Sequence, residues 1–346
     1  MSPFVSVVIP CRNEILFIER CLDSILASDY RPMEVIIADG ISTDGTRDTL
    51  HRLAARDPRL RIIDNPERIT PVALNRAIAA SQGEIIVRFD AHAVMPRDYI
   101  RRVVDLLESS GADNAGGSIR TLPQSSGPFS GPIVAALSSR FGVGNSGFRT
   151  LSDRRGSASK SPQRADTVFG GCWHKSLFDR IGGFNEKLVR SQDIEFNLRI
   201  ARSGGTIMLD PGIVSDYYAR ATLASFWAHN FSNGVWAVLP FAASDIFPVR
   251  LRHLIPLAFV ASLAVSMLLP FPWSIAVLSA YTAVNLVASI QIAIASRRAV
   301  YLPLLPVAFA SLHLAYGLGS AWGCLQLLAQ KLTPLPAPGR SVRRIP

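Results

Sequence analysis

Asp90 and His92 are the residues whose types and spacing most suggest chemistry. They stand in EIIVRFDAHA, residues 84–93, where an apolar run turns polar at once. Ile85, Ile86 and Val87 suit a strand buried in a parallel sheet; Arg88, Phe89, Asp90, Ala91 and His92 follow. Such a strand brings a carboxylate and an imidazole to the carboxyl edge of the sheet, where open α/β sheets bind ligands. In extended backbone the two share a face, about 6–7 Å apart at Cα. One divalent ion could bridge them. The same residue types fit a turn-capping carboxylate and a locally packed imidazole as well. A second acidic pair, Asp193 and Glu195 in RSQDIEF, falls in the first turn of a helix that continues through Ala201. Carboxylates are electrostatically favoured at a helix N-terminus, so capping accounts for this pair as well as chemistry does.

The elements that must position these groups follow a βαβ rhythm. Residues 5–10 (VSVVIP) make a buried strand stopped by a proline, and Cys11-Arg12-Asn13-Glu14 make a polar turn. Ile15, Ile18, Leu22, Ile25 and Leu26 line one face of a helix over 15–27. Residues 34–39 (EVIIAD) form a second strand ending in Asp39, and Ser42 or Thr43 is placed to cap the next helix. A third strand covers 61–64. Thr70-Pro71 opens a helix through Ala80, and Gly83 closes it before the central strand. A helix at 98–107, a strand near Gly116, a strand-like run at 167–175 and a strand at 206–209 complete the pattern. Residues 124–164 read as a long irregular loop of the binding or flexible kind. No Gly-x-Gly-x-x-Gly follows the first strand and no Walker A motif is present, which argues against a dehydrogenase and an ATPase.

Charge and hydropathy separate the chain into parts: 1–220 globular, 221–250 amphipathic, 251–330 membrane-spanning and 331–346 a basic tail. The net charge is +10, yet the last acidic residue is Asp245. Few charges and long apolar runs beyond it indicate membrane. The basic excess suits a membrane surface better than nucleic acid, for which no signature is found. Residues 222–241 carry Phe226, Trp227, Phe231 and Trp236 and suit either the membrane interface or a core helix. Three apolar stretches follow at 254–269, 274–295 and 301–329. Arg250, Arg252, Arg297 and Arg298 place their flanks on the cytoplasmic side. Three spans then put Lys331, Arg340, Arg343 and Arg344 outside. Pro303 and Pro306 leave room for a break in the third stretch, and Gly319 and Gly323 suit close helix packing. The four cysteines lack Cys-x-x-Cys spacing and support neither zinc nor disulfides. The N-terminus has no signal-peptide pattern, so the globular part is expected in the cytoplasm.

VSVVIPCRNE (5–14), IIADGISTDGT (36–46), VRFDAHA (87–93), SSRFGVGNSGFRT (138–150), FGGCWHKSLFDRIGGFNE (169–186) and RSQDIEFNLRI (190–200) together carry a resemblance. The chain resembles the inverting, metal-dependent nucleotide-sugar glycosyltransferases of family 2. Within them it looks most like those of succinoglycan and other bacterial exopolysaccharide synthesis. The resemblance implies an A-type glycosyltransferase fold, a Rossmann-like α/β domain with a mostly parallel sheet, followed by C-terminal transmembrane helices. It implies nucleotide-sugar contacts from Pro10, Arg12, Glu14, Asp39, Arg68, Asn75 and Asp90, with Asp39 on the uracil ring. Asp90 opens the family's Asp-x-Asp motif, with His92 in place of the second acid, and both would hold Mg²⁺ or Mn²⁺. Asp193 matches the catalytic base, preceded here by Gln192 where an acid is usual. Glu195 is then structural or acceptor-orienting. The Gln-x-x-Arg-Trp of processive synthases is absent from 217–236, which favours one sugar per event. The implied activity moves a sugar, glucose by family, from a UDP-sugar to a lipid-linked oligosaccharide at the cell inner membrane, alone or within a polysaccharide assembly complex. A polyprenyl-phosphate glycosyltransferase and a catalytically silent scaffold are the alternatives.

Overall fold

The computed structural model of the chain describes residues 2–151, 161–220, 222–242, 251–270 and 272–332. Strand β1 (Val5–Cys11) is mostly apolar because both its faces are covered. Val5, Val7 and Ile9 enter one core and Val8 the other. β2 (Met33–Asp39) and β4 (Ile85–Arg88) divide in the same way, Ile37 and Val87 against Ile36 and Ile86. The first core is closed by α1 (Ile18–Leu26), α2 (Thr46–Ala54) and α4 (Tyr99–Ser110) through Leu22, Leu50 and Val103. The second is closed by α3 (Thr70–Ala80), α8 (Ser176–Ile181) and α9 (Gln192–Arg202) through Leu74, Leu177 and Phe196.

Parallel pairing sets β3 (Leu60–Asp64), β2, β1 and β4 side by side, with Cys11 opposite Asp39 and Val8 opposite Arg88. The chain winds outward from β1 to β3, then crosses back to lay β4 on the other side of β1. That reversal leaves a crevice at the carboxyl ends of β1 and β4. Beyond β4 the sheet is mixed. β8 (Phe169–His174) runs antiparallel to both β4 and β6 (Asn114–Pro123). β9 (Ile207–Ala219) runs parallel to β6, and β5 (Ala93–Val94) and β7 (Gln163–Arg164) pair antiparallel with β9. Gly170 has φ +69 and sits against the Arg88 carbonyl, where a Cβ would collide; glycine lets β8 reach the end of β4.

Several expectations change. The strand at 206–209 runs on to Ala219, because residues 211–213 bulge out between the pairs Gly117–Asp210 and Ser118–Val214 and pairing then resumes. Neither Ser42 nor Thr43 caps α2. That helix starts later, after Gly45, and the Ser42 hydroxyl instead donates to Asp39 at 2.5 Å. Asp44 takes the Thr46 N–H at 3.0 Å. The loop at 124–164 contains α5 (Ser130–Leu137), α6 (Arg140–Val143) and α7 (Gly147–Thr150); its residues 152–160 lie outside the described residues. Ala136 and Ile133 of α5 pack on membrane-side residues Phe309 and Leu312, a tertiary anchor that its local sequence does not announce.

Helix α10 (Leu223–Val238) buries Phe226, Asn230, Val235 and Val238. It is followed by α11 (Ile255–Leu268), α12 (Trp273–Ser296) and α13 (Tyr301–Leu332). Among the described residues, Leu251–Leu268, Trp273–Ser296 and Tyr301–Ala329 are long and apolar enough to cross a membrane. No break occurs at Pro303 or Pro306. The helix is continuous, and Asn285 of α12 donates to the Pro306 carbonyl at 3.0 Å. Gly319 and Gly323 do face a close neighbour, but it is α10: their Cα atoms lie against the Phe231 and Val235 backbone. The tail from residue 333 on lies outside the described residues.

Candidate active site

A cavity of about 1250 Å³ occupies the crevice between the ends of β1 and β4 and continues to α10–α13. β1 delivers Pro10, Arg12 and Glu14 to it. Their turn is fixed by two hydrogen bonds across to the β2 turn: the Asn13 N–H donates to Ser42 Oγ and the Thr43 N–H to Asn13 Oδ1, each at 2.9 Å. Arg68, after β3, holds a positive φ of 60°, and its Nε is buried without a partner. Arg88, Asp90 and His92 come from the end of β4, and Arg190 to Asp193 from the start of α9. Ser191, with φ 63°, turns the chain into α9, so that Asp193 stands in the first turn, where a carboxylate is stabilised.

The buried Arg88 organises the carboxylates. Its Nη2 donates to Asp90 at 3.1 Å, and its Nε has no partner. Burial opposes its charge, and the nearby Asp90 and Asp193 outweigh burial and hold it charged. Burial likewise opposes the charge on Asp90, which Arg88 and His92 keep below the usual carboxylate range. His92 Nδ1 lies 3.2 Å from Glu14, and its ring meets Tyr217 edge-on at 5.1 Å. Burial disfavours the imidazolium; Tyr217, Glu14 and Asp90 overcome it and push the pKa up to about 10. In this arrangement Glu14 engages one ring nitrogen of His92. Among the described residues no three His, Cys, Asp or Glu side chains cluster to hold a metal. The donor set therefore fits an ion held by Asp90 with phosphate oxygens and water, as Mg²⁺ is commonly held, and not a cage made of protein alone.

The structure thus brings together Pro10, Arg12, Glu14, Arg68, Asp90, His92 and Asp193. It does not bring Asp39 or Asn75 to the cavity wall. Asp39 is fully buried and closed over by its own turn: it accepts from Ser42 and from Arg47 at 3.0 Å. The Asn75 amide is spent on chain beyond α8. It accepts from the Phe184 N–H at 2.8 Å and donates to the Phe184 carbonyl and to Glu186, each at 2.9 Å. Glu195 is structural: Arg199 clasps it with bonds of 2.8 and 3.0 Å. Sequence reasoning overlooked Arg88, Arg149, Arg190, Arg220 and His229, all on the cavity wall. For Arg88 a signal existed, since an arginine ends an otherwise apolar strand. Arg149 and Arg190 lie inside motifs that carry the family resemblance, whereas Arg220 and His229 come from segments without a local pattern.

Known proteins are similar to this chain in sequence and fold. The succinoglycan biosynthesis protein ExoA of Rhizobium meliloti is 32% identical over 319 residues, 90% of this chain and 92% of that protein. A Methanococcus voltae enzyme, dolichyl N-acetyl-alpha-D-glucosaminyl phosphate 3-beta-D-2,3-diacetamido-2,3-dideoxy-beta-D-glucuronosyltransferase, is 27% identical over 67% of this chain and 72% of its own. In fold, the chain is similar to the mannosyltransferase PcManGT from Pyrobaculum calidifontis, solved with GDP-Man and Mn²⁺. The TM-score is 0.59 at 23% identity, over 93% of this chain and 88% of that one. The α/β domain thus has the A-type glycosyltransferase fold, with three apolar helices after it. The sequence model described as Glycosyl transferase family 2 matches residues 6–180, which include β1, the Asp90 turn and most of the sheet. With that match and the near full-length similarity to ExoA, the chain belongs to glycosyl transferase family 2.

Proposed function

We propose that the protein transfers a sugar from a UDP-sugar, glucose by its resemblance, to a hydroxyl of a lipid-linked oligosaccharide in exopolysaccharide synthesis. The observation that carries this reading is one cavity shared by Asp90, Asp193 and the membrane-side helices α11–α13. A soluble acceptor would not need that continuity. Arg12 and Arg68 face the donor diphosphate, Pro10 and Glu14 border the nucleotide, and Asp90 with Arg88 marks the diphosphate end. Asp39 acts indirectly, by fixing the turn beneath the nucleotide. Asn75 has no donor contact in this reading. Asp90 would hold a divalent ion together with donor phosphates, and that ion would supply charge neutralisation of the leaving nucleotide. Asp193 takes the proton from the acceptor hydroxyl. The acceptor oxygen bonds to the anomeric carbon from the face opposite the nucleotide, the carbon–oxygen bond to the diphosphate breaks, and configuration inverts. Arg88 and His92 add positive charge where the leaving group gains negative charge.

The reading places the chain in the inner membrane as a multi-pass protein, with this cavity on the cytoplasmic side. A panel of labelled UDP-sugars and lipid-linked acceptors, given to membranes containing the protein, tests it. One donor–acceptor pair should yield a lipid product with inverted linkage. No transfer from any donor, or a product of retained configuration, overturns it. A polyprenyl-phosphate acceptor is the second reading, favoured by Arg149, Arg190 and Arg220 near the membrane helices, which among the described residues have no carboxylate partner. Its nucleophile is already ionised and needs no base, so Asp193→Asn would be nearly harmless there.

A further inference from the structure

Beyond Asp193 the cavity wall passes to α10 and then to the membrane-side helices. Arg149, Arg190 and Arg220 lie around His229 in this part. Among the described residues, none of the three has a carboxylate within ion-pair distance. Arg190 donates to Asn233 Oδ1 at 2.8 Å. Arg149 lies over the Tyr217 ring, 5.3 Å from its centroid, and its Nη1 is buried without a partner. Burial first, and these three guanidiniums next, push the His229 pKa down to about 3, so the imidazole adds no charge of its own. Unpaired cations held this close repel one another, and an anion relieves that repulsion.

The same cavity has an apolar side. Phe259 and Tyr281 stack with ring centroids 4.4 Å apart, and Val284 joins them on the wall, between α11 and α12. A free anion would use only the arginines, and a neutral lipid only the apolar wall. Arg190 precedes Asp193 by three residues, so their Cα atoms are at most about 11 Å apart. A sugar attached to a phosphate at Arg190 therefore reaches Asp193.

We infer that Arg149, Arg190 and Arg220 bind the diphosphate of a polyisoprenoid-diphosphate-linked acceptor, whose chain leaves along Phe259, Tyr281 and Val284. This rests on the function proposed above and locates its acceptor. Three guanidiniums more than offset the two negative charges of a diphosphate esterified at both ends, and bidentate arginine–phosphate geometry suits them. The apolar wall beside them suits a hydrocarbon chain.

The test uses the full chain in phosphatidylcholine nanodiscs, with farnesyl diphosphate as the probe. It should bind at least tenfold more tightly than farnesol or inorganic pyrophosphate, and saturating UDP should not displace it. Arg149→Gln and Arg220→Gln should each weaken it about tenfold, the effect of losing one charge-assisted contact. UDP affinity should stay within twofold in both variants, which also reports that they are folded. Displacement by UDP would put the probe in the donor site and overturn the inference. Equal binding of farnesol, of pyrophosphate or of phosphatidic acid would do so too. If a variant fails to fold, these wild-type comparisons still decide. Probe binding without any sugar transfer would refute the proposed function and leave this site standing. Transfer without probe binding would refute the site alone.

Discussion

At the residue scale, the proposed function gives Asp90 the diphosphate and its ion, and Arg88 donates to Asp90 at 3.1 Å. Asp90→Ala should lower the transfer rate roughly 10²-fold, the scale of losing one preorganised electrostatic stabiliser. It should also remove the dependence of UDP affinity on added Mn²⁺. Wild-type rates in EDTA, or a variant with unchanged metal dependence, would refute that role. His229 gives a pH signature. Its folded pKa lies near 3 against an ordinary 6.5. Between those values the unfolded chain binds more protons, so stability rises with pH. This contribution is complete above 6.5 and is lost as pH falls toward 3. The groups facing it are Arg149, Arg190, Arg220 and His92. Melting temperatures between pH 6.5 and 4 should fall less steeply for His229→Gln than for the wild type. Parallel curves would show that His229 does not carry this coupling.

At the element scale, α10 matters because it joins the cavity to the membrane helices. Gly234 of α10 lies against the Tyr316 backbone, and Gly319 of α13 against that of Phe231. Gly319→Leu should therefore destabilise the protein by about 1–3 kcal/mol or more, through overpacking between two backbones. Thermal denaturation in detergent measures this, and an unchanged midpoint would mean that the helices do not meet so closely. These contacts also show what sequence can disclose. Gly319 and Gly323 announced a close-packing face by their spacing, but not which helix would fill it. The buried strands were legible because apolar runs such as residues 5–9 and 85–87 have few other fates in a βαβ pattern. The bulge in β9, the anchoring of α5 on α13 and the arrest of Asp39 beneath its turn arise from tertiary contacts. Local propensity carries no trace of them. Asp90 and Asp193 were legible as a pair only through motifs spread over the chain. That His92 faces Glu14 required the two turns to be seen together.

At the scale of the whole molecule, one cavity runs from the crevice in the α/β domain to the apolar helices α11–α13, joining the proposed donor and acceptor sites. With the α/β domain in the cytoplasm, as proposed, three spans would place Arg297-Arg298 in the cytoplasm as well. A reporter fused after Arg298 should register cytoplasm, and one fused after Arg344 should not. A cytoplasmic signal from the second would leave an even number of spans. The central claim, however, is that Asp193 removes a proton from an acceptor hydroxyl, and one paired measurement reaches it directly. Transfer from the UDP-sugar to the lipid-linked acceptor is followed for Asp193→Asn, with donor affinity measured by calorimetry on the same preparation. Transfer should be abolished while donor affinity stays near the wild-type value, because the amide keeps the shape but cannot take a proton. Transfer at near wild-type rate, or loss of donor binding along with transfer, would contradict it.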